Sequence, residues 1–221
     1  PEAWIELGTV SLGAGDTNAA AAAWEKAASL RPDDAALVKR VSQFLLQGGF
    51  PDKAGDHLEK LAKSTTGAQR LENLTELARV REHAGQFEPA DGALRQALAM
   101  LDFRDSRYAG VFRRLVRVHE RFGHLDPMRE ALLAEARKDP PQEKALSDMA
   151  RFLEATVDIE ERIHWLKELR KAFPKNDGYR WELVRALLDR SLPIEAAPSI
   201  DERLKGDGTD LLAIILLRCE A

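Results

Sequence analysis

Four glycines, Gly15, Gly49, Gly85 and Gly123, recur along the chain at separations of 34, 36 and 38 residues, each after a stretch of helical periodicity. Five residues beyond each stands a small or medium apolar residue, Ala20, Ala54, Ala90 or Met128. Self-similarity at this period restricts a chain to repeat architectures. Within each period apolar residues fall at i, i+3, i+4 and i+7, which is the buried stripe of a helix and not the alternation of a strand. The glycine sits where the first helix ends, at a point where a tight turn needs left-handed backbone. Each period therefore predicts two helices joined by a short turn, and such a pair buries its stripe only by stacking on its neighbours.

Around the first glycine stand Trp4, Leu7, Gly8, Ala20, Trp24, Ala27 and Pro32, with polar punctuation at Asp16-Thr17-Asn18 and Pro32-Asp33-Asp34. The second period carries Val38, Val41, Ser42, Leu45, Leu58 and Leu61, and the third Leu74, Leu77, Ala78, Leu94 and Ala97. In the fourth are Phe112, Leu115, Val116 and Leu132; in the fifth are Leu146, Met149, Ala150, Leu153, Leu166 and Leu169, with Val157 in place of the glycine. A sixth, degenerate unit has Leu183, Val184, Leu187, Ala196 and Ile200. This order closely resembles the tetratricopeptide-repeat (TPR) consensus over essentially the whole chain. The resemblance implies an all-α fold, a right-handed superhelical array of antiparallel helix pairs, with repeats at about 1–34, 35–68, 71–104, 109–142, 143–176 and 177–208 and the first helix of another at 209–221.

That register predicts thirteen helices and no sheet, with Gly8, Ala20 and Ala27 allowing close helix approach and Pro32, Pro140 and Pro174 ending second helices. Two extra residues near Ser64 to Ala68 and four near Asp102 to Tyr108 predict a lengthened helix at the later junction. Pro198 predicts a late or kinked helix, Gly206 and Gly208 a loose connection, and Ile214, Ile215 and Leu217 a last helix in want of a partner. The chain starts on the first residue of a unit and stops after a lone helix, so it reads as a segment of a longer protein.

Chemistry is sparse in this sequence. There is no phosphate-binding loop, no H-E-x-x-H and no G-x-S-x-G. His57, His83, His119, His124 and His164 fall in different helices or units and read as surface or capping residues, not as a metal site. Asp158 to Glu161 opens a helix, where negative charge offsets the backbone dipole. The Asn73-Leu74-Thr75 sequon lies inside a predicted helix and reads as chance. Cys219 has no identifiable base and no second cysteine to pair with. The sequence thus predicts no enzyme, no metal and no cofactor. A net charge of -4 and a pI near 5.8 argue against nucleic acid as the main partner. No apolar run is long enough to span a bilayer.

In the TPR fold the first helices line the concave face, with ligand-facing residues at motif positions 2, 5, 9, 12 and 13; this too is what the resemblance implies. Position 9 is then Thr9, Gln43, Arg79, Arg117, Arg151 and Arg185, and position 12 adds Glu82, Glu120 and Glu154. Lys39, Arg113, His83 and Arg121 come from positions 5 and 13. Two readings stand side by side. Each arginine pairs with its own glutamate three residues on, or with one on the next first helix, lacing the array; or the arginines form a ladder for an extended acidic ligand. The clamp of chaperone-binding relatives is absent, because Ile5 and Thr9 stand at its positions and Lys39 with Gln43 echoes it only in part.

The expected function is a scaffold that binds another protein or an acidic peptide segment in that groove, beside flanking repeats of its parent chain. A structural spacer in a longer cytoplasmic protein is the alternative. Long, degenerate arrays with variable linkers are also similar to those of bacterial outer-membrane exporters of Pel-type exopolysaccharide. That likeness would place the segment in the periplasm, recruiting polymer-modifying enzymes.

Overall fold

The computed structural model describes residues 1–190. Among them are eleven helices and no strand: α1 (Glu2–Gly13), α2 (Thr17–Leu30), α3 (Ala35–Gln47), α4 (Pro51–Ser64), α5 (Gly67–His83), α6 (Phe87–Ala99), α7 (Ser106–Arg121), α8 (Leu125–Ala136), α9 (Glu143–Ala155), α10 (Ile159–Ala172) and α11 (Asp177–Asp189). The fold is all-α. The readings at Pro198, Gly206, Gly208, Ile214, Ile215, Leu217 and Cys219, and the two remaining predicted helices, lie outside the described residues. Packing divides the described residues into two compact units, Pro1–His124 and a second that begins at Leu125. Within the first, each helix from α1 to α7 packs on the next; within the second, the same holds from α8 to α11.

Short polar side chains start several of these helices, because the first turn leaves amide donors without partners. Asp16 accepts from the Ala19 amide at 2.9 Å, Asp34 from Leu37 at 3.0 Å and Asp158 from Glu161 at 3.2 Å. The helix-ending glycines adopt the left-handed backbone, with φ of 82° at Gly15, 86° at Gly49, 75° at Gly85 and 74° at Gly123. In each case the next amide reaches back five residues, as from His124 to the His119 carbonyl at 2.7 Å. Val157 makes the same turn with φ of 62°, and the Asp158 amide closes it on the Leu153 carbonyl at 3.0 Å. A branched side chain in that conformation costs about 1–2 kcal/mol.

Small residues let the pairs close. A Cβ added at Gly8 would lie 2.3 Å from the Trp24 indole nitrogen, so α1 and α2 meet at a distance that only glycine allows. Ala20, Trp24 and Ala27, then Ala54 and Leu58, then Ala90, Leu94 and Ala97, are fully buried at matching places in three successive repeats. The lengthened connections extend helices. At the earlier junction α5 starts at Gly67, four residues ahead of its unit, and at the later one α7 starts at Ser106, with the rest of the insertion in a turn.

One histidine differs from its sequence reading. His119 is buried, not superficial: its Nε2 lies 2.7 Å from an Asp91 oxygen, its Nδ1 lies 3.2 Å from the His124 carbonyl, and Phe87 packs edge-on against its ring. It stands where the equivalent residue of the repeat before is Arg81, also buried, which donates to Asp56 at 2.7 Å and to Gln86 at 3.0 Å. Burial pushes the Asp91 carboxyl up, but hydrogen bonds from Arg95 and His119 outweigh it and hold that carboxyl below the usual aspartate range. Both helix contacts are thus polar keys in an otherwise apolar seam.

Candidate partner-binding face

The odd-numbered helices carry their charged residues opposite the buried stripe, and in the first unit these residues meet from helix to helix. Arg40 on α3 reaches Glu2 on α1 at 2.8 Å, and Lys39 reaches Glu72 on α5 at 2.7 Å. Glu82 on α5 takes Arg121 of α7 at 3.1 Å, with Arg114 at 3.9 Å. Gln43 is exposed on the same side of α3.

On α5, Arg79 does not pair with Glu82. It turns back one helical turn to Glu76, donating through Nε at 3.0 Å and through a second nitrogen. That hydrogen bond, working against partial burial, holds the Glu76 carboxyl below the usual glutamate range, and Arg114 and Lys39 add to the pull. The Arg79 guanidinium is therefore spoken for. On α7 the matching position, three residues before Arg117, holds Arg114 instead of an acid. Arg113 and Arg117 are exposed and make no ion pair among the described residues. Glu120 and His83 are exposed as well.

In the second unit one of the matching residues, Arg151, is drawn inward. Arg151 on α9 is half-buried and lies 3.4 Å from Asp148, a carboxylate only 5% exposed that also takes Lys144 at 2.6 Å. Glu154 accepts from Arg162 of α10 at 3.0 Å. On α11, burial pushes the Glu182 carboxyl up, opposed by the nearby charges of Arg151, Arg162 and Arg185. Arg185 is exposed.

Lacing three residues forward, Arg79 to Glu82 and Arg151 to Glu154, is not what forms. Arg79 and Arg151 bond three residues backward, because position 6 of those repeats is acidic. The signal was legible: Glu76, Asp148 and Glu182 precede Arg79, Arg151 and Arg185 by three residues as regularly as glutamates follow them. Sequence reasoning missed Glu72, Glu76, Arg114, Asp148 and Glu182 because family positions had directed attention elsewhere. Among the described residues no group of three or more His, Cys, Asp or Glu could hold a metal ion, and no helix is long and apolar enough to cross a membrane.

The sequence matches no protein-family model and no curated protein. Several solved structures are similar. MamA is 20% identical, over 80% of this chain and 94% of its own, with a TM-score of 0.41. A tetratricopeptide repeat protein from Parabacteroides merdae is 13% identical over 94% of this chain and 80% of its own, at 0.40. A chain in the structure of Naa15/Naa10 bound to HypK-THB is 17% identical over 83% of this chain and 28% of its own, at 0.48.

Proposed function

We propose that the chain is a protein-binding scaffold of the TPR type and not an enzyme, and that an extended acidic segment of its partner lies along the exposed face of α7. The observation that carries this is the state of Arg113 and Arg117: exposed, one helical turn apart, and without a carboxylate of their own. Arg114 and Arg121 flank them and share one acid, Glu82, so the strip is a concentration of positive charge on an otherwise acidic chain. A guanidinium accepts a carboxylate in a two-pronged geometry, which gives such a strip orientation as well as attraction. Lys39, Gln43, Arg79, Glu82 and Glu120 form the surroundings of the site in the first unit. Arg151 and Glu154, each engaged by a neighbour, and the exposed Arg185 form a second face. A role in exopolysaccharide export, with a periplasmic address, rests on the sequence resemblance alone.

The spacer reading has its own support, since the pairs from Arg40 to Glu2, Lys39 to Glu72 and Arg121 to Glu82 tie neighbouring repeats together. One experiment separates the two. A fluorescein-labelled nonapeptide of alternating glutamate and alanine is titrated against the native chain, R113A/R117A and R114D. Binding is expected to weaken at least tenfold in the double variant and to a lesser degree in R114D, which supplies Arg117 with the acid its counterparts have. Melting temperatures should stay level, because exposed charges contribute about 0–1 kcal/mol. Raised salt should weaken native binding, since such contacts are screened over roughly 8 Å at physiological ionic strength. Equal affinity in all three proteins would leave only the spacer.

A further inference from the structure

A second opening lies away from the charged face. Helices α4 and α6 stand apart over α5, leaving a cavity of about 300 Å³ whose floor is Leu74 and Leu77. Its walls are small: Ala62 on one side, Pro89, Gly92 and Ala93 on the other. Gly92 is the informative one. It sits inside α6, where glycine is less favourable than alanine, yet a Cβ there would meet nothing within 4 Å. No close packing calls for it: at this point α6 faces the open space of the cleft.

The charged groups in the cleft are three cations, Lys63, Arg70 and Arg81, against one carboxylate, Glu59. Two of the cations are engaged, Lys63 by Glu59 at 2.7 Å and Arg81 by Asp56 at 2.7 Å. The Arg70 side chain has no partner among the described residues: the residue is half-buried, and its Nε is shut off from solvent without a hydrogen bond. An anion in the cleft can still meet the terminal N–H groups of this guanidinium with charge-assisted hydrogen bonds, for which no carboxylate of the described residues competes. The sequence shows how the residue came there. Arg70 lies in the extra turn that the two-residue insertion gives α5, in line with Leu74, Leu77 and Arg81 at i+4, i+7 and i+11 on one helical stripe.

We infer that this cleft binds a carboxylate carried on a short aliphatic stem, the anion on Arg70 and the stem over Leu74 and Leu77 beneath Gly92. The chemistry is shared by a small organic acid and by a glutamate side chain of a bound peptide. The site is independent of the α7 strip, and its test does not depend on that reading. Heteronuclear NMR titrations of the 221-residue chain would use sodium hexanoate and, separately, N-acetyl-glutamate α-amide, with hexanol and hexylammonium as controls. The same series would be run on R70Q, G92A and G92L. One or both carboxylates are expected to shift the amides of α4, α5 and α6, with at least tenfold weaker binding in R70Q and G92L and little change in G92A, which leaves the cleft open. The neutral and cationic controls should bind at least tenfold more weakly. Tighter binding of hexanoate would identify a free acid, and tighter binding of the blocked glutamate a partner's side chain. Binding by neither, or binding that R70Q or a folded G92L leaves unchanged, would overturn the inference. G92L should fold, because its new side chain meets open space, and R70Q remains decisive if it does not.

Discussion

Arg117 and Arg151 occupy the same place in consecutive repeats, 34 residues apart, yet one is exposed and unpaired among the described residues while the other is half-buried beside Asp148. The difference lies one helical turn earlier. Arg114 precedes the first and Asp148 the second, and residues three apart on a helix face each other. A periodic row of arginines is therefore not a periodic row of binding groups. Whether each can meet a ligand is set by its neighbour at i-3 and by how deeply that neighbour is buried.

Removing the acid should break the contrast with the largest effect. Asp148 is only 5% exposed and holds both Lys144 and Arg151. D148A leaves the half-buried Arg151 without that partner, and urea unfolding should show a loss of about 2 kcal/mol. A loss below about 0.5 kcal/mol would mean that burial, not pairing, keeps Arg151 in place. The two units also differ at the turn, since Val157 does with strain what Gly123 does without it. V157G relieves about 1–2 kcal/mol of backbone strain and forfeits part of that to the unfolded chain's added freedom. Val157 is 75% exposed, so little packing is lost, and the variant should be more stable by about 0.5–1 kcal/mol in the same assay. Destabilisation would show that the turn is not strained.

The smallest effect sharpens the comparison within position 6. Glu76 and Glu182 both precede an arginine by three residues, but the hydrogen bond from Arg79 lowers the pKa of one and burial raises that of the other. Carboxyl-carbon NMR titrations should place them on opposite sides of the ordinary value of 4.5. Their effects on stability run in opposite directions. The contribution of Glu76 is complete above its unfolded pKa and fades as pH falls through its lowered folded value. Glu182 carries a penalty at neutral pH that is relieved as pH falls through its raised value. Titration of both below 4.5 would remove the burial argument for α11.

Much of the fold was legible because it rests on local chemistry. Gly15, Gly49, Gly85 and Gly123 announced their turns through a backbone that other residues take only under strain, and Asp16, Asp34 and Asp158 announced helix starts through side chains short enough to cap their own first turn. Val157 could be placed at its turn by register, though its strained φ could not. His119 was misread because a histidine in a helix gives no sign of the aspartate 28 residues away that accepts its hydrogen bond.

The site divides along the same line. Residue identity and period fixed which arginines share a position, since side-chain spacing on a helix is a local property. Which of them remain available was decided by tertiary structure, because Glu82 meets Arg121 only when α5 and α7 pack, and Glu182 is desolvated only when its unit closes over it. The cleft over Leu74 and Leu77 is the extreme case. Its residues come from three helices, and nothing in a one-dimensional pattern records that α4 and α6 stand far enough apart to leave Arg70 beside an empty space.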